Sequence, residues 1–106
     1  MAHHNPIAIP AELVELLGDA ALDLQELARG CRVSTDWVVT RVESGVLLPD
    51  SGGAAAEWRF AGTTLVRARR LAGLEQTFEA DPQLAALTVD LMEEVTELRR
   101  RLHQLI

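Results

Sequence analysis

The sequence predicts a mainly α-helical fold: a winged helix-turn-helix with a short two-stranded wing and a long C-terminal dimerisation helix. The prediction rests on two short capped helices, an aromatic segment after a Gly/Ala-rich loop, and an unbroken leucine heptad pattern near the C-terminus. A length of 106 residues allows about one small domain. We divide the chain into a partly flexible N-terminal extension (1–20), a winged helix-turn-helix domain (21–80) and a coiled-coil-like helix (81–106).

Residues 23–45 show the pattern of two helices joined by a tight turn. Asp23 followed by Glu26 has the spacing of a capping box, so the first helix is expected to begin there. Gly30 is expected to end this helix, because glycine readily takes the left-handed conformation of a helix terminus. Ser34 is then expected to cap the second helix. Helix, tight turn and capped helix in this order are typical of a helix-turn-helix.

A wing of two short strands is expected after the second helix. Residues 46–48 are apolar and lead into a proline, and residues 57–60 alternate polar and aromatic side chains, as a strand does. The Gly- and Ala-rich residues 50–56 between them are expected to form the hairpin tip. We expect Trp58 and Phe60 to lie in the core beneath the wing.

The C-terminal segment is expected to be one long helix that pairs with a second copy. Asp81 followed by Pro82 is a strong helix start. Leucines recur every seven residues, and a second set of residues follows four positions later, as in a coiled coil. Glu94 pairs with Arg99 across a parallel dimer or with Arg101 across an antiparallel one, and the sequence does not choose between them. The predicted dimer interface consists of Leu84, Leu91, Val95, Leu98, Leu102 and Leu105.

The composition argues against several classes of function. The sixteen acids and ten bases give a net charge of −6, the wrong sign for a protein whose main partner is a nucleic-acid backbone. The single Cys31 and the unsuitably spaced histidines predict neither a metal site nor a cofactor. No apolar stretch reaches the ~20 residues that cross a bilayer, and the start lacks the features of a secretory signal, so we expect a cytoplasmic protein. No activated nucleophile is found, and we expect no enzyme activity.

The second helix offers a poor surface for reading DNA. Its single arginine, Arg41, is accompanied by the acids Asp36 and Glu43, whereas base edges are read by basic and amide side chains. We therefore favour a helix-turn-helix kept for packing or for protein binding. Trp37 on the same helix is interpreted as a partly buried residue, with an exposed anchor for a partner as the alternative.

The acidic segment from Glu75 to Glu97 is the most unusual feature of the sequence. It contains seven acids and no base. Part of this pattern is explained by the helix dipole and by an i,i+4 pair of Glu97 with Arg101. The segment also predicts a negative surface that attracts and docks a basic partner. The candidate partner-binding residues are Glu75, Glu79, Asp81, Asp90, Glu93 and Glu97, together with Trp37 and Glu43.

With these features, residues 22–105 resemble the chaperone-modulator proteins of the CbpM type, small bacterial relatives of the MerR helix-turn-helix regulators. The resemblance rests on four stretches in the same order, and the last of them is the most specific. These are LDLQELARGCRVSTDWVVTRVESGV, Leu48-Pro49, Trp58-Arg59-Phe60, and LVRARRLAGLEQTF followed by LAALTVDLMEEVTELRRRL.

The resemblance implies that the protein binds the J-domain of a DnaJ-like co-chaperone of the CbpA type and inhibits it. J-domains carry a basic helix that engages the chaperone DnaK, and an acidic modulator that covers this helix would compete with DnaK. The alternative is a MerR-type transcription regulator truncated to its DNA-binding and dimerisation parts, and a third interpretation is a bare dimerisation module. The regulator would need phosphate contacts from Arg32, Arg41, Arg59 or Arg67.

Overall fold

The computed structural model describes residues 21–51 and 53–105. The predicted extension at residues 1–20 lies outside the described residues. The described part is mainly helical, as predicted, and a 3-10 helix at Ala55–Glu57 lies between its second and third α-helices. These α-helices are α1 (Leu24–Cys31), α2 (Thr35–Glu43), α3 (Gly62–Phe78) and α4 (Pro82–Gln104).

The first two helices begin where the sequence predicts, because side chains satisfy the first backbone N–H groups. The Asp23 carboxylate accepts from the Glu26 N–H at 2.8 Å, and the Glu26 carboxylate accepts from the Asp23 N–H at 3.0 Å. This is the complete capping box. At the start of α2, the Ser34 hydroxyl accepts from the Trp37 N–H at 3.1 Å.

The end of α1 differs from the prediction. Gly30 does not end the helix, which continues to Cys31, and Arg32 takes the left-handed conformation with φ of 57°. Gly30 has a different role, because a Cβ atom at this position would lie 2.9 Å from Cδ1 of Leu65 on α3. The missing side chain therefore allows α1 and α3 to approach closely.

The predicted two-stranded wing is not confirmed, since residues 21–51 and 53–105 contain no strand. The N–H groups of Val46 and Leu47 donate to the Arg41 carbonyl at 2.9 and 3.2 Å, so they complete the C-terminus of α2. These N–H groups are therefore used by α2 and do not pair with a second strand. Glu57, expected in the second strand, belongs to the 3-10 helix.

Two isolated antiparallel bridges are found instead of a wing. Ser51 pairs with Arg59, and Leu22 pairs with Phe60. The second bridge has two hydrogen bonds, from the Leu22 N–H to the Phe60 carbonyl at 2.9 Å and in the reverse direction at 2.8 Å. Phe60 therefore connects the start of α3 to the segment before α1.

The core lies between α1, α2, α3 and the first half of α4. Trp58 and Phe60 are both buried, as predicted, and their rings form an edge-to-face pair with centroids 6.1 Å apart. Cys31 is also buried, and desolvation raises the pKa of its thiol to about 11, so it is an unreactive packed side chain at neutral pH. The largest fully buried side chains are Phe60, Leu27, Leu47, Leu71, Val38 and Val89.

Helix α4 begins as predicted and packs only through its first half. The Asp81 carboxylate accepts from the Gln83 N–H at 3.0 Å, and Pro82 follows at the first helical position. Ala85 and Val89 are buried in the core, whereas no side chain between Met92 and the end of the helix is buried. Within the described part, no helix is both long and apolar enough to span a membrane. The predicted division between residues 80 and 81 falls in the turn before α4.

Candidate protein-interaction surface

Two side chains of α2 converge on one carboxylate of α3. Trp37 Nε1 donates to Glu75 Oε1 at 3.0 Å, and Arg41 Nη2 donates to the same oxygen. The Arg41 guanidinium also lies 4.5 Å from the centroid of the Trp37 ring, a cation–π contact. The side chains of Arg41 and Glu75 are only 16% and 13% exposed. The one base of α2 is therefore neutralised inside the protein, and Trp37 is partly buried.

Arg67 on α3 joins the end of the helix-turn-helix to α4. Its Nε donates to the Val46 carbonyl at 2.8 Å, and its two terminal nitrogens each lie 2.9 Å from a carboxylate oxygen, of Asp90 and of Glu93. Ion pairs as exposed as these stabilise a fold by at most about 1 kcal/mol. Their main effect is to hold α4 in position beside α3 and the end of the helix-turn-helix. Two of the predicted partner-binding acids thus share a single arginine.

Glu97 lies on the outer half of α4 between two arginines of the same helix. Its carboxylate accepts hydrogen bonds from Arg100 and, at 3.1 Å, from Arg101 Nε. The predicted i,i+4 pair with Arg101 is therefore confirmed. The hydrogen bonds from Arg100, reinforced by Arg101, lower the pKa of Glu97 from 4.5 to about 2. This carboxylate stays ionised at every physiological pH.

The remaining predicted acids lie at helix ends and are exposed. Glu79 is the C-cap of α3, with a left-handed φ of 51°, and Asp81 is the N-cap of α4. Glu43 is the last residue of α2. None of the three forms an ion pair with another residue of the described part. At the turn between α3 and α4, Glu79 and Asp81 are therefore two neighbouring negative charges that no residue of the described part neutralises.

Helix α4 has a second apolar face, roughly a third of a turn away from Ala85 and Val89. Its residues are between 45% and 84% exposed. A continuous apolar stripe of this length on a surface typically marks an interaction site. The face contains every residue of the predicted dimer interface, namely Leu84, Leu91, Val95, Leu98, Leu102 and Leu105.

Leu87 belongs to the same face but was missed by the sequence analysis. It is 61% exposed. Leu87 lies three residues after Leu84 and four before Leu91, and residues with this spacing share a helix face. A search for leucines at seven-residue intervals does not find it. In the register of the other leucines, Leu87 lies at position g, beside the seam rather than in it.

A groove of about 420 Å³ lies between the C-terminal end of α2, α3 and the first turns of α4. Its apolar lining comes from all three regions, and Arg41, Glu75 and Asp90 supply charged edges. A second groove of about 580 Å³ shares Val46 and Asp90 with it and extends to Leu48 and Arg67. The apolar residues that line the first groove are Val46, Leu71, Pro82, Ala86 and Leu87.

The described residues contain no group of three or more His, Cys, Asp or Glu side chains that could hold a metal ion. Of the four arginines from which a DNA-binding regulator would draw its phosphate contacts, Arg41 and Arg67 are paired with acids. Arg32 is exposed in the turn between α1 and α2, and Arg59 donates to the Trp58 carbonyl.

Known proteins resemble the chain over most of its length. The profile described as "MerR HTH family regulatory protein" matches residues 22–106. A protein of Pseudomonas entomophila (strain L48) is 38% identical over 78 residues, which are 74% of this chain and 76% of that protein. Proteins of Pseudomonas putida strains W619 and GB-1 are 37% and 35% identical over the same shares. All three are named chaperone modulatory protein CbpM.

The two capped helices, the buried aromatic pair and the match over residues 22–106 define a helix-turn-helix protein of the MerR class. Within that class, the chain belongs to the CbpM family of chaperone modulatory proteins. Both family names are those of non-catalytic regulators.

Replacing Glu75 with Ala removes the acceptor for both Trp37 and Arg41 and leaves a mostly buried guanidinium unpaired. We expect the free energy of unfolding to fall by about 1–3 kcal/mol, measured by urea denaturation. In a Trp58→Phe background, the fluorescence of Trp37 should also change. Glu57→Ala, which removes an exposed carboxylate, is the matched control and should shift stability by no more than about 0.5 kcal/mol. Equal stability of the two variants would contradict the role assigned to Glu75.

Proposed function

We propose that this protein is a cytoplasmic, non-enzymatic modulator that binds the J-domain of a DnaJ/CbpA-type co-chaperone and inhibits its action with DnaK. The relatives named as chaperone modulators support this proposal. The single structural observation that carries it is the Arg41–Glu75 pair, because it neutralises the base with which α2 would contact DNA. The helix-turn-helix is then available as a scaffold for protein binding.

The acidic surface supports a basic partner. A cationic J-domain helix would be attracted to a protein of net charge −6, and this attraction would speed association. Four of the predicted acids already have arginine partners within the chain, so binding through them would require an exchange of partners. Glu79 and Asp81 have no such partner among the described residues. We therefore propose the α3–α4 turn as the main electrostatic contact.

The function is tested by measuring ATP hydrolysis by DnaK with its DnaJ-like co-chaperone. Addition of this protein should remove the stimulation caused by the co-chaperone and leave the basal rate of DnaK unchanged. Inhibition should be competitive and relieved by excess isolated J-domain. Unchanged stimulation at saturating concentrations of the protein would contradict the proposal.

Reversal of charge at Glu79 tests the electrostatic contact. Glu79→Lys should weaken J-domain binding several-fold at low salt, by calorimetry, and the difference should shrink at about 1 M salt as charges are screened. Glu57→Lys makes the same change of charge on a different element and is the control. An equal loss in both variants would show that only the net charge matters.

We further propose that the protein is a homodimer held by the exposed face of α4. Burial of a leucine side chain stabilises by about 1.5–3 kcal/mol, and the predicted interface offers several leucines per copy. Glu94 would pair across the dimer with Arg99 or Arg101, depending on the direction of the partner helix.

The double variant Leu91→Asp, Leu98→Asp should be monomeric in light scattering, because it inserts charges into the apolar seam. Leu48→Asp changes an equally exposed leucine outside α4 and should leave the oligomeric state unaltered. A dimer that persists in the double variant would disprove this interface.

A MerR-type DNA-binding regulator is the second candidate, favoured by the profile match and by the exposure of Arg32 and Arg59. A gel-shift assay at low salt with fragments of the cell's own genome distinguishes the two functions. Tight, sequence-selective binding that is lost in an Arg32→Ala, Arg59→Ala variant would favour the regulator.

A further inference from the structure

We propose that the groove between α2, α3 and α4 is the docking site for an apolar side chain of a basic amphipathic helix. If the proposed function holds, on which this inference rests, that helix is the basic helix of the J-domain. Binding is then centred in this groove, which Leu87 lines, and the acidic residues add attraction around it.

The groove has the size and lining that an apolar anchor needs. Its volume of about 420 Å³ lies within the ~300–1,000 Å³ of typical ligand sites, so one or two large side chains fit into it. Its apolar lining includes the buried Leu71, the partly buried Val46 and Ala86, and the exposed Leu87. Interface residues that contribute most to binding typically fill such apolar pockets, with polar groups around them.

On α4, the exposure of Leu87 is not explained by the seam of the proposed dimer. It lies at position g of the heptad, whereas the seam of the dimer is formed by positions a and d. Its side chain lines the groove, beside residues of α2 and α3. Leu87 is therefore available to a different protein while the seam is occupied by a second copy.

The charges around the groove select a basic occupant. Arg41 is neutralised by Glu75, and Arg67 is shared between Asp90 and Glu93. Asp81 directly precedes Pro82, which lines the groove, and Glu79 lies two residues before Asp81, so both add negative charge near that end. Acids thus outnumber arginines around the apolar residues that line the groove. A helix with leucine-like side chains flanked by Lys or Arg complements both features.

The decisive experiment measures binding of the isolated J-domain to full-length variants by calorimetry. Leu87→Ser should weaken binding by about ten-fold or more, as expected for the loss of a buried leucine contact. Gln83→Arg, on the rim of the groove, should also weaken it, whereas Gln83→Glu should leave it equal or stronger. Leu48→Ser removes a leucine of similar exposure that lines the adjoining groove and not this one, and it should change the affinity by less than about two-fold.

The affinities of these variants distinguish failure of the groove from failure of the proposed function. Loss of affinity in Leu87→Ser and Gln83→Arg, with Leu48→Ser unaffected, supports the groove. If the unaltered protein binds the J-domain and these two variants bind equally well, the groove is wrong and the proposed function stands. If the unaltered protein does not bind the J-domain at all, both are wrong. Circular dichroism and light scattering verify that the variants fold and remain dimers; dissociation of Leu87→Ser would disprove its position outside the seam.

Fluorescence gives a second, local measurement. Trp37 contacts Arg41 and Glu75 at the edge of the groove, so in a Trp58→Phe protein its emission reports on occupancy. Saturation with the J-domain should shift this emission, and Leu87→Ser should require at least ten-fold more J-domain for the same shift. An emission that does not change on binding would overturn the assignment of the groove.

Discussion

Ala85 and Val89 determine the direction in which α4 leaves the domain, and the rest of the surface follows from this contact. Both side chains are buried, and the small alanine lets the two helix backbones come close. With that face fixed against α3, the leucines roughly a third of a turn away point outward, because α4 turns by about 100° per residue. In this orientation Leu87 lines the groove. A single apolar contact thus defines both the stripe proposed for the dimer and the cavity proposed for the partner.

The electrostatics of the folded protein differ from those that its composition suggests. Most acids of the segment from Glu75 to Glu97 lie beside an arginine, so the field of the segment is weaker than a count of charges implies. The same pairs remove Arg41 and Arg67 from contact with phosphate. A basic partner would have to replace the arginines that already pair with these acids, and this replacement would cost desolvation energy. The cost favours a partner with a complementary surface over an arbitrary polycation.

The features readable from the sequence are those that act over a few residues. Asp23 and Ser34 cap helices through N–H groups three positions away, so spacing alone reveals them. The lack of a two-stranded wing in the described residues could not be predicted in this way, because the N–H groups of Val46 and Leu47 donate to the Arg41 carbonyl of α2. The charge network around Arg67 connects residues more than twenty positions apart, and the groove combines three helices. Such contacts depend on the tertiary fold, for which one sequence contains no local signal.

The outer part of α4, after Met92, has consequences for folding. This segment has no buried side chain within the described residues, and isolated helices shorter than ~12–15 residues are marginal in water. In the homodimer proposed above, burial of its apolar face would add to the stability that this segment has as the continuation of α4. If the protein dimerises as proposed, its melting temperature would rise with its concentration, since assembly favours the folded state by mass action. Dilution would then uncover the apolar face of the outer part of α4, so the accessibility of this surface would depend on the concentration of the protein.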